Sequence, residues 1–422
     1  MGMKETCSSE TFMPSKAFSK PTKFLSKTRL RLAWNVAKAR GRSSNTPGVD
    51  GKSGRDFAQN LDSNLAEIAN QISRGEYKFS KLRCIWLPKA GQPDKERLIC
   101  VPTISDRLVQ RTIAGVLEQD NRLGIASRVS FGFQQGLGVQ SAIDAALSHR
   151  NGQQKWVVKT DICSFFDMID RKILISKFNK IGPRSLTGIM EQVISCEAQP
   201  HFARDFEKLK KSGVVNGKGL RQGMPLSPIL SNLELAGFDR RAQAAGFSLV
   251  RYADDLAVFC ESKPKAKQAF ENIKTWLEEL GHTIPELTEG KKSKLIPPLD
   301  PIEFLGFEIA FDDKSKKYIQ IVPERSIKKI ITETREDSTF KSCVENKLSF
   351  SDIVKNLAAK KTSYSVYAKA SNYNDFKRRL EITSRDAMRC LLIELFGKVA
   401  IQKLDMDKLN FLGLASFQEV IS

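Results

Sequence analysis

The 422-residue sequence predicts an α+β protein, and three observations predict it. Short apolar runs occur in pairs joined by turn residues, the pattern of antiparallel hairpins. Stretches with apolar residues three and four apart lie between those pairs and read as amphipathic helices. The final hundred residues are mixed basic and apolar, mostly helical, and without an internal repeat.

In chain order, residues 1–48 hold ten Lys and Arg against two Glu, and Arg29 to Arg42 (RLRLAWNVAKARGR) is helix-like. We read 1–44 as a basic N-terminal arm, because so much unbalanced charge suits phosphate contact better than a merely solvated helix face. A turn-rich stretch, Ser43 to Gly54, closes it. Helical spacing runs from Phe57 to Ile72. CIWLP and RLICVP then flank the loop KAGQPDKE as two strands of a basic hairpin. A helix over Asp106 to Gln119 turns Leu108, Ile113 and Leu117 inward. The strand WVVKTDIC leads up to Asp161, and a helix follows from about Arg171.

Ser227-Pro228 predicts a helix start, with a capping hydroxyl and Pro in the first position, and Gly246 is placed to end that helix. FSLVRY and LAVFCE form a hairpin with Asp254 and Asp255 at its tip. Pro264 opens a helix carrying Ala266, Phe270, Ile273, Trp276, Leu277 and Leu280, closed by Gly281. Residues 302–322 read as a second hairpin.

The formal net charge of +20 and the 41% hydrophobic content describe a globular protein with a polyanionic partner, most economically nucleic acid. No apolar run reaches the 18 or more residues that span a bilayer, and the N-terminus lacks a long apolar signal region, so we expect a cytoplasmic protein with no membrane partner. Eight scattered cysteines (7, 84, 100, 163, 196, 260, 343, 390) and three distant histidines (149, 201, 282) exclude a zinc site or a disulfide framework. The cysteines read as reduced, mostly core, thiols.

Asp254 and Asp255 stand side by side between apolar runs, where like charges repel and burial penalises each ionised form. A polar turn is the bland account. Asp161 changes the balance: three aspartates, one on a strand end and two on a hairpin, make a cradle for two Mg²⁺ ions, with Mn²⁺ as the alternative. Between them lies GLRQGMPLSPILSN (Gly219 to Asn232), a Gly- and Pro-punctuated turn whose backbone can approach a phosphate or base closely.

The order of these segments carries a resemblance. Asp161-x-x-x-Phe165-Phe166-Asp167, Gln222-Gly223 with Ser227-Pro228, Tyr252-Ala-Asp-Asp255, the lysine turn Gly290-Lys-Lys-Ser-Lys294 and Phe304-Leu-Gly306 follow one another as the motifs of a reverse transcriptase do. Upstream, TPGVDGKSGRDF, IWLPKAGQPDKERLICVPTISDRLVQ and SFGFQQG are similar to finger motifs of the bacterial group II intron lineage. The resemblance spans roughly residues 45–325. It implies a right-hand polymerase with fingers over 45–150, a palm of antiparallel sheet plus helices over 151–322 and a helical thumb over 323–422.

The resemblance also implies roles. Asp161, Asp254 and Asp255 match the metal-binding carboxylates, and Tyr252 belongs to their motif. Phe166 matches the aromatic steric gate that collides with a ribonucleotide 2′-OH. Gln222 and Gly223 match positions lining the incoming dNTP, and Lys89 and Arg97 those that hold its triphosphate. Lys292 best matches the lysine that protonates departing pyrophosphate, with Lys291 and Lys294 as neighbours.

Departures matter too. Arg97-Leu-Ile-Cys-Val-Pro102 replaces the R-P-L-G-I-P of intron-encoded relatives, Gln134-Gln-Gly-Leu-Gly138 replaces R-P-G-R-S, and no Cys-rich endonuclease module follows. The chain therefore most resembles the defence-associated reverse transcriptases, which copy a structured noncoding RNA template into DNA product against phage. An intron-encoded reverse transcriptase or maturase without an endonuclease domain is the alternative, and a noncatalytic RNA-binding splicing factor the rival from another class. The sequence leaves the oligomeric state open, an oligomer included.

Overall fold

The computed structural model describes residues 21–39, 45–89, 92–153, 155–200, 202–287, 292–401, 404–412 and 414. Residues 1–20 and 40–44 of the expected arm, and Gly290 and Lys291 of the lysine turn, lie outside them.

Helix α1 (Lys27–Ala39) turns Leu30, Trp34 and Ala37 inward, and the Trp34 ring meets Phe57 with centroids 5.4 Å apart. The single helix expected over 57–72 is two, α2 (Gly54–Gln59) and α3 (Leu61–Arg74). Asn60 separates them at φ −121°, outside helical geometry. Strands β1 (Leu82–Lys89) and β2 (Gln92–Val101) run through most of the expected loop, with a register shift between Pro88 and Lys89. Helix α4 (Ile104–Leu117) starts where Thr103 accepts the Asp106 N–H, and buries Leu108, Ile113 and Leu117 as expected.

Helix α5 (Val139–Asn151) precedes β3 (Trp156–Asp161), α6 (Phe165–Met168) and α7 (Arg171–Ile181), the last capped by the Asp170 carboxylate on the Ile173 N–H. Helix α8 (Thr187–Ile194), the two-residue strand β4 (Ala198–Gln199) and α9 (Ala203–Lys211) lead to α10 (Ser227–Ala244). Ser227 does not cap α10. It is already helical, with Leu226 at the cap position, so its hydroxyl reaches back and donates to the Arg221 carbonyl at 2.8 Å. Gly246, at φ 70°, donates to Gln243 O and ends the helix region as expected.

Strands β5 (Ser248–Tyr252) and β6 (Asp255–Cys260) form the hairpin with Ala253 and Asp254 between them. Helix α11 (Lys263–Glu278) buries Ala266, Phe270, Ile273 and Leu277. After β7 (Lys294–Ile296), the expected second hairpin is a three-stranded meander of β8 (Ile302–Phe304), β9 (Phe307–Asp312) and β10 (Lys317–Ile321). The extra reversal is the two-residue turn Leu305-Gly306, both at left-handed φ, 50° and 83°. The rest is helical: α12 (Glu324–Asp337), α13 (Phe340–Glu345), α14 (Phe350–Ser363), α15 (Tyr373–Phe396), α16 (Lys398–Ile401) and α17 (Met406–Phe411).

These elements form two compact units that interleave along the chain. The first takes the described residues up to Gly136, Ile162–Gly246 and Ile273–Ile284. Its sheet has the order β2–β1–β4, and its β1–β2 face packs Leu82, Cys84, Leu98 and Cys100 against Cys196 and Met224. A buried Asp106 accepts the Tyr77 hydroxyl at 2.8 Å, the Thr103 hydroxyl at 2.8 Å and the Ser80 N–H at 3.1 Å.

The second unit takes Leu137–Asp161, Phe247–Asn272 and the described residues from Pro285. It contains the antiparallel sheet β5–β6–β3–β7, the meander and the C-terminal helices. Arg150 of α5 is fully buried there. It donates to the carbonyls of Ile309, Pro297 and Asp300 and lies 4.4 Å from the Tyr318 ring centroid, so carbonyls and a π face replace its water. Cys343, Ile353, Leu357, Met388, Leu391 and Leu392 form the apolar centre of the helical part.

The described cysteines are unpaired. Cys84, Cys100, Cys196, Cys260 and Cys343 are buried, Cys163 is half-buried and Cys390 is exposed. Burial pushes the Cys100 and Cys196 thiols up to about 12. Among the described residues no helix is long and apolar enough to cross a membrane.

Candidate active site

The sheet of the second unit positions the aspartates. Asp161, the last residue of β3, lies directly opposite Asp255, the first residue of β6. Opposed residues of an antiparallel pair point to the same face, so both carboxylates share one side of the sheet. Asp255 is also opposite Tyr252 across the hairpin, and Asp254 occupies the turn. Ala253 holds that turn at φ 57°, a left-handed conformation uncommon for a residue with a Cβ.

One long-range strand pairing, β3 on β6, thus brings Asp161 to Asp255, and the tight turn of the β5–β6 hairpin holds Asp254 next to Asp255 in sequence. Burial pushes the Asp255 carboxyl up from its ordinary range, and Asp254 and Asp161 push the same way against the opposing pull of Lys159 and Lys292. Lys292 Nζ reaches Asp161 Oδ2 at 2.5 Å. Of the three lysines the sequence left open, Lys292 is the one the structure brings to the carboxylates. Lys294 starts β7 opposite Lys159, and Lys291 is not described.

Lys159 was not singled out from sequence. It stands two residues before Asp161 on the same strand, hence on the same face, and period-two reading would have found it. Burial lowers its ammonium pKa, and Asp255 opposes that shift. On the other face, Thr160 and Ser293 share a hydroxyl hydrogen bond of 2.7 Å, which anchors the residue next to Lys292. An open cleft of about 1410 Å³ runs along this part of the unit, with Lys159, Asp161, Asp255, Lys292, Lys294 and Arg325 in its wall.

Among the described residues no three Asp, Glu, His or Cys side chains form a ready-made metal cage. The donor set nevertheless fits Mg²⁺. That ion takes one or two protein carboxylates and completes its shell with water and substrate phosphates. Two opposed carboxylates with a third in the adjoining turn, Asp255 pushed up by burial and by both its acidic neighbours, are a site whose charge a divalent cation would relieve.

The remaining predicted residues belong to the first unit. Phe166 is half-buried in α6, its ring 5.4 Å from that of Phe165. Its carbonyl accepts the Leu220 N–H at 2.7 Å, while the Gly219 N–H goes to Ile169 O at 2.9 Å. A Cβ at Gly219 would stand 2.8 Å from Phe166 O, so only glycine permits that approach. Gln222 O accepts the Cys100 N–H at 2.7 Å, and Gly223, at φ 105°, leaves a Cβ only 2.6 Å from Cys100 O. The structure therefore brings Phe166, Gln222 and Gly223 together by backbone bonds, against the end of β2. Lys89 ends β1, and Arg97 lies exposed opposite Leu87 on the same hairpin.

With this geometry in place, comparison with known proteins decides the family. The family model described as reverse transcriptase (RNA-dependent DNA polymerase) matches residues 87–309, more than half of the chain. The chain belongs to the reverse transcriptase family. Among curated relatives it is similar to Protein YkfC of Escherichia coli K12, at 25% identity over 210 residues covering 47% of this chain and 50% of that one. It is also similar to the group II intron-encoded protein LtrA of Lactococcus lactis, at 23% identity over 233 residues covering 55% of this chain and 35% of that one. This reverse transcriptase thus matches about half or less of the length of those two relatives. A solved telomerase from Candida albicans with a telomeric RNA fragment aligns over 88% of this chain and 69% of that one, at 11% identity and TM-score 0.42. The matched family region contains Asp161, Phe166, Gln222, Gly223, Tyr252, Asp254, Asp255 and Lys292, and begins two residues before Lys89.

Proposed function

We propose that this protein is an RNA-directed DNA polymerase that extends a primer with dNTPs along an RNA template. The observation that carries the reading is the pairing of Asp161 with Asp255 beside Asp254, with Lys292 bonded to Asp161, inside the family-matched region. Asp161, Asp254 and Asp255 would hold two Mg²⁺ ions, which when bound supply charge for an in-line displacement at phosphorus. Lys292 would give a proton to the departing pyrophosphate. Phe166 closes the sugar side of the nucleotide pocket, Gln222 and Gly223 line it, and Lys89 and Arg97 hold the triphosphate. In this reading residues 45–150 act as fingers, 151–322 as palm and 323–422 as thumb.

The test is single-nucleotide extension of a primed RNA template. Asp254→Ala with Asp255→Ala should abolish incorporation and leave RNA binding largely intact, because the carboxylates serve chemistry more than docking. Near-normal synthesis by that variant would remove the two-metal reading.

The finer reading is a bacterial cytoplasmic enzyme that copies a structured noncoding RNA in defence against phage. It is supported by the departures at Arg97–Pro102 and Gln134–Gly138 from the intron pattern and by the +20 charge, which suits a large RNA partner. An intron-encoded enzyme is the second reading, favoured by the similarity to LtrA. Sequencing the RNA and DNA that copurify with the protein separates them: one recurrent noncoding RNA and its complementary DNA support the first, an excised intron the second.

A further inference from the structure

Three segments of the first unit, α7, the loop before α10 and the start of β1, meet at one residue, Glu197, just before β4. Its Oε1 accepts from Arg171 Nη1 at 2.6 Å and from the Gly217 N–H at 2.7 Å, while Oε2 accepts from Arg221 Nη2 at 2.6 Å and Arg171 Nη2 at 3.3 Å. Its backbone carbonyl accepts the Leu82 N–H at 2.9 Å, where β1 begins. Each arginine then holds the loop before α10 by its carbonyls. Arg171 Nε donates to Gly219 O at 2.8 Å, and Arg221 donates to Lys218 O at 3.0 Å and Val215 O at 2.8 Å.

The loop has no regular secondary structure of its own, so its shape is set by these bonds. Gly219 and Leu220 pass the constraint to α6 through their N–H bonds to Ile169 O and Phe166 O. Arg221 passes it to Gln222, the next residue, whose carbonyl takes the Cys100 N–H of β2. The arginines are only 5% and 2% exposed, and planar guanidinium forks fix geometry as well as charge. Losing Glu197 would leave two buried cations without their shared partner, a large perturbation for one side chain.

We infer that Glu197 is a positioning residue for nucleotide selection: by clamping Arg171 and Arg221 it holds Phe166 and Gln222 in one fixed relation at the end of the β1–β2 hairpin. The inference rests on the reading of Phe166 and Gln222 as walls of the dNTP pocket. A merely structural Glu197 would change how much protein folds. A positioning Glu197 changes what each folded molecule selects.

The experiment is steady-state single-nucleotide incorporation by the full chain on a primed RNA template, normalised to active sites by burst titration. Glu197→Gln keeps the shape of the side chain and removes its charge. Arg171→Lys keeps a cation beside Glu197 and removes the Nε donor to Gly219 O, and it carries the test should Glu197→Gln not fold. Both variants should raise KM for dNTP by about tenfold or more, with a smaller change in kcat, and lower the preference for dNTP over rNTP. In a Phe166→Ala background, Glu197→Gln should no longer alter that preference. Unchanged KM and sugar preference per active site, with only the folded fraction reduced, would overturn the inference while leaving the polymerase reading standing. A wild-type protein that incorporates no dNTP would overturn the polymerase reading itself, and this inference with it.

Discussion

Replacing Asp255 by Asn removes one of two carboxylates that β3 and β6 place directly opposite each other while keeping the size of the side chain. Opposed side chains lie about 5 Å apart, and two like charges at that distance repel by about 3 kcal/mol at an effective dielectric constant near 20. Lys159 and Lys292 offset part of this, so we expect a net gain of about 1 kcal/mol for the metal-free protein, or a rise of about 2–4 °C in Tm for a unit of this size. The sign follows from the shift: a carboxyl pushed up by burial and by its neighbours is less comfortable ionised in the fold than in the unfolded chain, so at neutral pH its charge costs stability. Thermal melts in EDTA and in Mg²⁺ read both halves of the argument. In EDTA the variant should melt higher than wild type. In Mg²⁺ at about ten times Kd the wild type should gain about 1.4 kcal/mol and the variant much less. A variant that melts lower than wild type in EDTA, or that gains as much from Mg²⁺, would refute the account of this pair as a strained cation site.

Phe166→Ala should admit ribonucleotides, with the dNTP preference falling by at least about tenfold; an unchanged preference would make Phe166 a core residue. Tyr77→Phe should cost about 2 kcal/mol in denaturant unfolding, because it takes the hydroxyl donor at 2.8 Å from an Asp106 that is 2% exposed. Acid should weaken the first unit through Glu197. Burial alone would raise that carboxyl, but Arg171, the Gly217 N–H and Arg221 outweigh it and hold it below its ordinary 4.5. Its folded value is therefore depressed, so its contribution is present above about pH 4.5 and is lost as pH falls through the lower folded value. The stability gap between wild type and Glu197→Gln should shrink on acidification below pH 4.5, and a gap constant down to pH 3 would contradict it.

Local chemistry made most of the aspartate hairpin readable. FSLVRY and LAVFCE carry strand-forming residues on both sides of a polar pair, and the register of β5 on β6 follows from so short a turn. That Asp161 would lie opposite Asp255 is a matter of long-range register, which no local pattern encodes; motif order alone pointed to it. Other expectations failed where a local rule met a tertiary demand. Ser227 looks like a cap, but the loop before α10 needs a donor for Arg221 O, and the helix starts one residue early to supply it. Leu305-Gly306 was hidden inside an apolar run because leucine is rarely a turn residue, yet it adopts left-handed φ there. Glu197 gave no signal in ISCEAQP, since an isolated glutamate acquires meaning only from the two arginines that the fold brings to it.

The distribution of thiols gives this protein a convenience for spectroscopy. Five of the described cysteines are buried, and a protonated thiol shut away from solvent reacts slowly with maleimides and other electrophiles. Cys390, exposed on the 24-residue helix α15, is the natural attachment point for a dye or spin label, with Cys163 half-covered and Cys7 removable by Cys7→Ser. A label there would report how the C-terminal helices respond when template, primer and nucleotide are added one at a time, without engineering a cysteine into the chain.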